Sequence, residues 1–204
     1  MNAADAWKLA CGNLSNSESW WEKVIQAYQE PCRHYHNVAF LDRKFKLLDE
    51  LGTASDMNAV ILAIIFQYYE YDPQDRASTN NLAHFQEFAS TNDLPQGLRS
   101  KVEALLTGNE DDLEKNANGE NDVQLLQDLD MSFLGLVSDA FLDIIKLERK
   151  EYDFMSDEAY NAMRRKALQT FLLIPNIFLT NVCRDRFEAQ ARANIEAEVQ
   201  SLGK

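Results

Sequence analysis

The sequence predicts an all-α protein, and three observations lead there. Val60 to Asp72 opens as an almost unbroken apolar run, Val-Ile-Leu-Ala-Ile-Ile-Phe, and ends in amides, phenols and carboxylates. A run that is apolar on every side has to be enclosed by other elements, so it reads as a central core helix. Strand-like alternation is hard to find, whereas apolar residues recur at helical spacing along most of the chain. Gly and Pro are scarce, at 7 and 4 of 204 residues, so few points interrupt the helices. The expectation is a single helical domain over residues 1–204, with about eight or nine helices.

Taken in order, residues 1–17 read as an N-terminal extension. Ser15 with Glu18 fits a capping box. Trp20, Trp21, Val24, Ile25 and Tyr28 follow at helical spacing until Pro31 ends or kinks the helix. A second helix runs from about His36 to Leu51, burying Phe40, Leu41, Phe45, Leu47, Leu48 and Leu51, and Gly52 stops it. Ser55 or Asp56 caps the central helix, and Pro73 closes the segment after it. Ala77 to Ala89 reads as a helix. Asp93 and Pro95 start another, with Val102, Leu105 and Leu106 on its inner face. Residues 108–122 are acidic, with Asn and Gly interspersed, and read as a surface loop. Leu125 to Leu147 is apolar-periodic, with a break at Asp128 to Asp130. Ser156, Asp157 and Glu158 suit the first turn of a helix through Leu173. Pro175 restricts Ile174, and the last helix runs from about Asn176 to Leu202.

Composition narrows the function. With 33 acidic against 20 basic residues the formal net charge is -13. That argues against a nucleic-acid backbone or an anionic membrane as partner, since both need clustered Lys and Arg. A small phosphorylated ligand needs only a few local cations. Cys11, Cys32 and Cys183 are odd in number, widely spaced and form no CxxC pair, which suits packed thiols in a reduced compartment. No signal-peptide pattern opens the chain, and no apolar run is long enough to span a bilayer. A soluble cytoplasmic protein is expected.

Two clusters could carry chemistry. Arg33-His34-Tyr35-His36-Asn37 crowds polar heads into one turn beside a helix start. It suits a ligand or metal site, or a capping cluster with interface aromatics; taken alone, the capping reading is favoured. Asp128-Leu129-Asp130 places two carboxylates amid apolar neighbours, where they need a cation, a metal or several donors. A helix cap with one exposed Asp is the plainer account. Arg149, Glu151 and Tyr152 offer an ion-pair network, as do Arg192, Asn194, Glu196 and Glu198; such sets on helices are usually solvated faces. His84 is a lone histidine, structural or on the surface. Trp20, Trp21 and Phe45 could form an exposed aromatic patch, but core positions are favoured. No Gly-rich phosphate loop, GxSxG elbow, HExxH or zinc spacing occurs.

In register, several of these stretches resemble one family. They are Arg33-His34-Tyr35-His36-Asn37-Val38, Phe66 with Tyr71-Asp72, Asp128-Leu129-Asp130-Met131-Ser132-Phe133-Leu134-Gly135, Arg149-Lys150-Glu151-Tyr152, and Phe187-Glu188-Ala189-Gln190-Ala191-Arg192-Ala193-Asn194-Ile195. Their order and spacing resemble the predicted metal-dependent phosphohydrolases of the HD superfamily, from about Trp20 to Val199. The resemblance implies an HD-type helical fold. It also implies one or two divalent metals, held by a His after the Tyr, a His-Asp pair ending the central helix, and a later Asp. Such ligands leave positions open for water and phosphate, and the metal activates the water. On that resemblance His36 is the first ligand and Asp130 the last.

The chain departs from the pattern at the pair itself, where Gln67 and Tyr68 stand for His and Asp. An amide offers only a neutral oxygen, and a phenol with a reference pKa of about 10 is a poor ligand at neutral pH. Phe40 stands where the family often has a second His. Leu82 follows Asn81 where the family has Asn-Glu. Near Thr107, where the family has another His, the chain reads Gly108-Asn109-Glu110. Glu70, Asp72, Glu110 and Asp128 are carboxylates that could rebuild a site with His36 and Asp130. The expected function is therefore a phosphohydrolase-like protein that has lost catalysis. It would bind a phosphorylated small molecule, through Arg33, His34, Asn37 and Asp72, or another protein. The alternative is an active phosphohydrolase acting on a nucleotide or phosphoester through altered ligands with Mn or Mg.

Overall fold

The computed structural model describes residues 1–75, 79–109, 113–115 and 119–203. Among these residues the chain forms ten α-helices, one 3₁₀ helix and no strand. The all-α expectation holds, with more helices than were counted from the sequence. None of the helices is long and apolar enough to cross a membrane, among the described residues. Contacts divide the chain into two compact units, Met1–Leu126 and Gln127–Lys204.

The first unit holds α1 (Ala3–Cys11), α2 (Ser17–Tyr28), α3 (Val38–Leu51), α4 (Met57–Phe66), α5 (Asn81–Thr91) and α6 (Gln96–Thr107). Helix α4 is its centre. Every residue from Ala59 to Phe66 is buried, because α1, α3, α5 and α6 all pack against it. Aromatic rings fill the space at its C-terminal end. Phe66 meets Phe88 at 5.2 Å and Phe85 at 5.5 Å between centroids, and Trp20 stands edge-on to Phe88 at 5.3 Å. Such edge-to-face pairs suit the ring quadrupoles.

Local chemistry sets the ends of these helices. Asn37 caps α3, its Oδ1 accepting from the N–H groups of Ala39 and Phe40, and its amide donates to the carbonyls of Arg33 and His34. Gly52 ends α3 at a positive φ of 60°, a conformation glycine adopts without strain. Asp56 caps α4 by accepting from Ala59 N–H. The Asp122 carboxylate then holds the approach to α4, taking the N–H groups of Ser55 and Asp56 at 2.8 and 2.9 Å.

Several boundaries differ from the sequence reading. The N-terminal extension contains α1, closed by an Asn2–Asp5 capping box. The Ser15–Glu18 box does not form: α2 starts after Asn16, with no side-chain cap. The central helix stops at Phe66, so Gln67 to Asp72 is not helical. The predicted helix from Ala77 starts at Asn81, and Ala77 itself lies outside the described residues. The predicted loop 108–122 ends in buried residues, Asn121 and Asp122.

Helix α7 (Asp122–Met131) runs across the boundary between the units. The second unit continues with the 3₁₀ helix Ser132–Gly135, then α8 (Ser138–Glu151), α9 (Asp157–Leu173) and α10 (Asn181–Ser201). The break in the run Leu125 to Leu147 thus falls after Met131, not at Asp128 to Asp130. Arg164 on α9 ties three helices, donating to Glu148 of α8 at 2.7 Å and to both oxygens of Glu198 of α10 at 2.9 and 3.2 Å. Asn194 of α10 donates to the carbonyls of Leu134 and Leu136 at 2.8 and 2.7 Å. Gly135 lies against α10 so closely that a Cβ there would stand 2.5 Å from Phe187 Cβ.

The last helix begins at Asn181 rather than near Asn176, and two carboxylates explain why. Asp128 accepts from Leu179 N–H, Thr180 N–H and the Thr180 hydroxyl at 2.7, 2.8 and 2.6 Å. Burial pushes its carboxyl up from the ordinary value, while these donors pull the other way. Glu188 accepts from the N–H groups of Ile177 and Phe178. Backbone donors held this way are not available for helical pairing.

Candidate functional site

The C-terminal end of α4 has to be satisfied from outside the helix, because its last carbonyls have no partner within it. It is also the negative end of the helix dipole. One side chain meets this demand within the helix, and two more hold the carbonyls of the segment that follows it. Tyr28 donates its hydroxyl to the Ile65 carbonyl at 2.8 Å. Arg33 donates to the carbonyls of Tyr68 and Tyr69 at 2.6 and 2.7 Å. Asn81 donates to the carbonyls of Gln67 and Glu70 and accepts from Glu70 N–H.

His36 is brought to this place. It is 5% exposed, and its ring lies 4.5 Å from Tyr71, 4.7 Å from Tyr68, 4.8 Å from Tyr35 and 5.0 Å from Phe40, centroid to centroid. The imidazole is thus packed among four aromatic rings. Tyr68 also meets Phe40 edge-on at 5.5 Å.

Lys44 joins them, and sequence reasoning missed it. It lies on α3 and is only 3% exposed. Its ammonium donates to Gln67 Oε1 at 3.1 Å. It stands over the Phe40 ring at 4.5 Å and the Tyr68 ring at 5.2 Å. A lysine is almost never this buried unless it is paired. The signal was present in the sequence. Lys44 is four residues after Phe40 and four before Leu48, so it sits within the apolar stripe of α3 rather than on its polar face.

The other candidates have partners or surroundings of their own. Arg33 is buried, with its guanidinium bound to Glu30 at 2.8 Å and to the two backbone carbonyls. Asn37 is a helix cap, and His34 is exposed. Asp72 is exposed and accepts from Gln74 N–H. Glu70 turns to Asn80 N–H and to His84 Nε2 at 3.1 Å, which gives His84 a carboxylate partner at the surface. Asp128 belongs to the Thr180 turn. Glu110 lies outside the described residues. Asp130 is half-buried on α7, within the second unit. Trp20 and Phe45 are core residues, and Trp21 is half-buried, stacked on Trp7 at 5.6 Å.

The residues that meet at the end of α4 do not fit a divalent metal. They offer an amide, a phenol and one imidazole enclosed by rings, with an ammonium among them. A dication about 4 Å from that ammonium would be repelled by roughly 8 kcal/mol at an effective dielectric of about 20. Among the described residues no group of three or more His, Cys, Asp or Glu is placed to hold an ion. What the arrangement does offer is a buried ammonium beside an amide oxygen and two aromatic rings.

Comparison with protein families, with curated proteins and with solved structures finds no match for this chain.

Proposed function

We propose that this protein is a phosphohydrolase-like protein of the HD type that has lost catalysis and acts by binding. The ordered motifs from Arg33 to Ile195 support the family reading. The observation that carries the loss of catalysis is the hydrogen bond between Lys44 and Gln67. It sets a cation of the chain itself at the pair of residues that, on the resemblance, would grip a metal.

Of the two ligand classes that the resemblance leaves open, a protein partner is favoured over a small phosphate compound. The donors that a phosphate would need at this turn, on Arg33 and Asn37, are engaged with backbone carbonyls. Backbone carbonyls released from a buried site would cost more than one new phosphate contact returns.

Hydrolysis of a panel of nucleotides and phosphoesters with Mn or Mg tests the reading. Turnover at the level of background is expected. Robust turnover that His36→Ala abolishes would overturn it.

A further inference from the structure

We propose that the outer face of α2 is the docking surface for a basic amphipathic helix of a partner protein, with Trp21 and Ile25 as its apolar floor and Glu22 and Glu30 as its acidic rim. The inference deepens the reading above by giving the partner a face and a chemistry, and rests on it only in taking the partner to be a protein.

A cleft of about 670 Å³ lies along this face, with Trp21, Ile25 and Pro31 on its apolar side and Glu22 and Glu30 among its polar residues. Helical spacing separates the two sides. Glu18, Glu22 and Gln26 follow one another at intervals of four along one ridge, and Trp21 and Ile25 along the next. Glu30 stands just past the C-terminal end of the helix. The helix has 12 residues and is about 18 Å long, a match for about three turns of a partner helix.

Trp21 is set in place before any partner arrives. Its ring stacks on Trp7 at 5.6 Å, and the Trp7 indole N–H donates to Ser17 Oγ at 3.0 Å. Trp7 is buried, whereas Trp21 is half-buried and also forms a wall of a second cleft, of about 660 Å³, on the α1 side. An aromatic side chain fixed in this way loses little freedom on binding, and such anchors carry much of the energy of an interface.

Charge selects the occupant. Glu18 and Glu22 are exposed and form no ion pair among the described residues, and like charges one turn apart repel along a helix. No basic residue lines the first cleft, among the described residues. Lys23, the one basic residue of α2, is drawn over the ring of buried Trp20 at 4.1 Å. The last turn of α2 has no basic residue to offset the negative end of its dipole. Glu30 pairs with Arg33, but the Arg33 side chain has no exposed surface while that of Glu30 is half exposed. Burial, and then the charges of Glu87 and Glu30, push the Tyr69 phenol above its ordinary value. Lys8 lines the second cleft, so the acidic character is concentrated in the first. An acidic rim beside an apolar floor fits a helix with Lys or Arg on one face and Leu-type side chains on the other. An anionic lipid surface would be repelled by the same carboxylates.

The test uses the full chain and a labelled model helix with Leu on one face and Lys on the other, read by fluorescence polarisation. Saturable binding is expected, together with protection of tryptophan fluorescence from acrylamide, since Trp7 and Trp20 are already buried. Glu22→Lys should weaken binding about tenfold, whereas Glu196→Lys on α10 should leave it nearly unchanged. Both replace exposed residues and alter the net charge equally. Equal weakening by the two would reveal a general attraction to an acidic protein and would overturn the proposal, as would an absence of binding by the wild type. A helix with Gln in place of Leu should bind far less, and equal binding would remove the apolar floor from the account and sink it. Self-association of the wild type that Glu22→Lys abolishes would assign the face to a second copy, against the proposal. Phosphoester turnover with Mn would instead strike the functional reading, and the binding measurements would still decide the role of this face.

Discussion

The guanidinium of Arg33 donates to the carbonyl of Tyr68 at 2.6 Å, from a side chain with no exposed surface. A residue that reads from sequence as part of a polar, ligand-binding turn is thus a clamp on the segment that leaves α4. A second bond, to the Tyr69 carbonyl at 2.7 Å, makes the clamp two-pronged.

Removing this clamp should be severe. Arg33→Met leaves two inward carbonyls and the Glu30 carboxylate without their donor, at a cost of about 3–5 kcal/mol. Arg33→Lys should recover little of it, since one ammonium cannot span both carbonyls as the planar fork does. Urea unfolding of the two variants reads this directly. A Lys variant as stable as the parent would show that charge, not geometry, matters here.

Asp56 makes the first unit sensitive to acid. Burial pushes its carboxyl up, but hydrogen bonds from Lys101, Ala59 N–H and Asn58 N–H, with the Lys101 charge, outweigh that and hold it below the ordinary carboxylate value. The pair is 2.8 Å apart. A depressed folded pKa contributes stability that is present above the unfolded value of about 4 and is lost as pH falls through the folded one. Asp56→Asn keeps a good helix cap and deletes the charge. Its stability should change less than the parent's between about pH 4 and pH 2, and should respond less to salt. An unchanged acid slope would assign the sensitivity to other carboxylates.

Asp128 should behave as a structural acceptor. Its carboxylate takes three donors at the start of α10. Asp128→Asn turns an NH₂ group towards at least one of them, so a loss of about 2–4 kcal/mol is expected. Thr180→Val removes one donor and the cap that Thr180 provides to Cys183 N–H, and should cost about 1–2 kcal/mol. The two losses should not add, because both residues act in one network. Additive costs in a double-mutant cycle would refute that coupling.

Gly135 tests the close approach of the 3₁₀ helix to α10. An Ala side chain would meet Phe187 Cβ at 2.5 Å and Cα at 3.0 Å. Those atoms cannot swing aside, so one element must shift. A loss of about 1–3 kcal/mol is expected for Gly135→Ala. Asn194→Ala, which strips the Leu134 and Leu136 carbonyls of their donor, should cost a similar amount by a different route. Thermal unfolding that leaves both variants at the parent midpoint would disprove the packing described for this corner.

The sequence by itself determined the helical class, the buried centre at α4 and some of the helix ends, among them the end of α3 and the starts of α4 and α9. Those features depend on local chemistry. The all-round apolar run Ala59 to Phe66 demands enclosure, Asn37, Asp56 and Ser156 are strong caps, and Gly52 tolerates a positive φ. Tertiary contacts decided where local preference was overruled. The segment before Asn181 stays out of the helix because Asp128, distant in sequence, and Glu188 of α10 take its N–H groups. They also decided the site. A lysine in an apolar stripe is ambiguous until its partners are known, since a long side chain can bury its stem and carry its charge to water. Here Gln67, Phe40 and Tyr68 lie beside the charge, and the packing of α3 beside the end of α4 brings them to it.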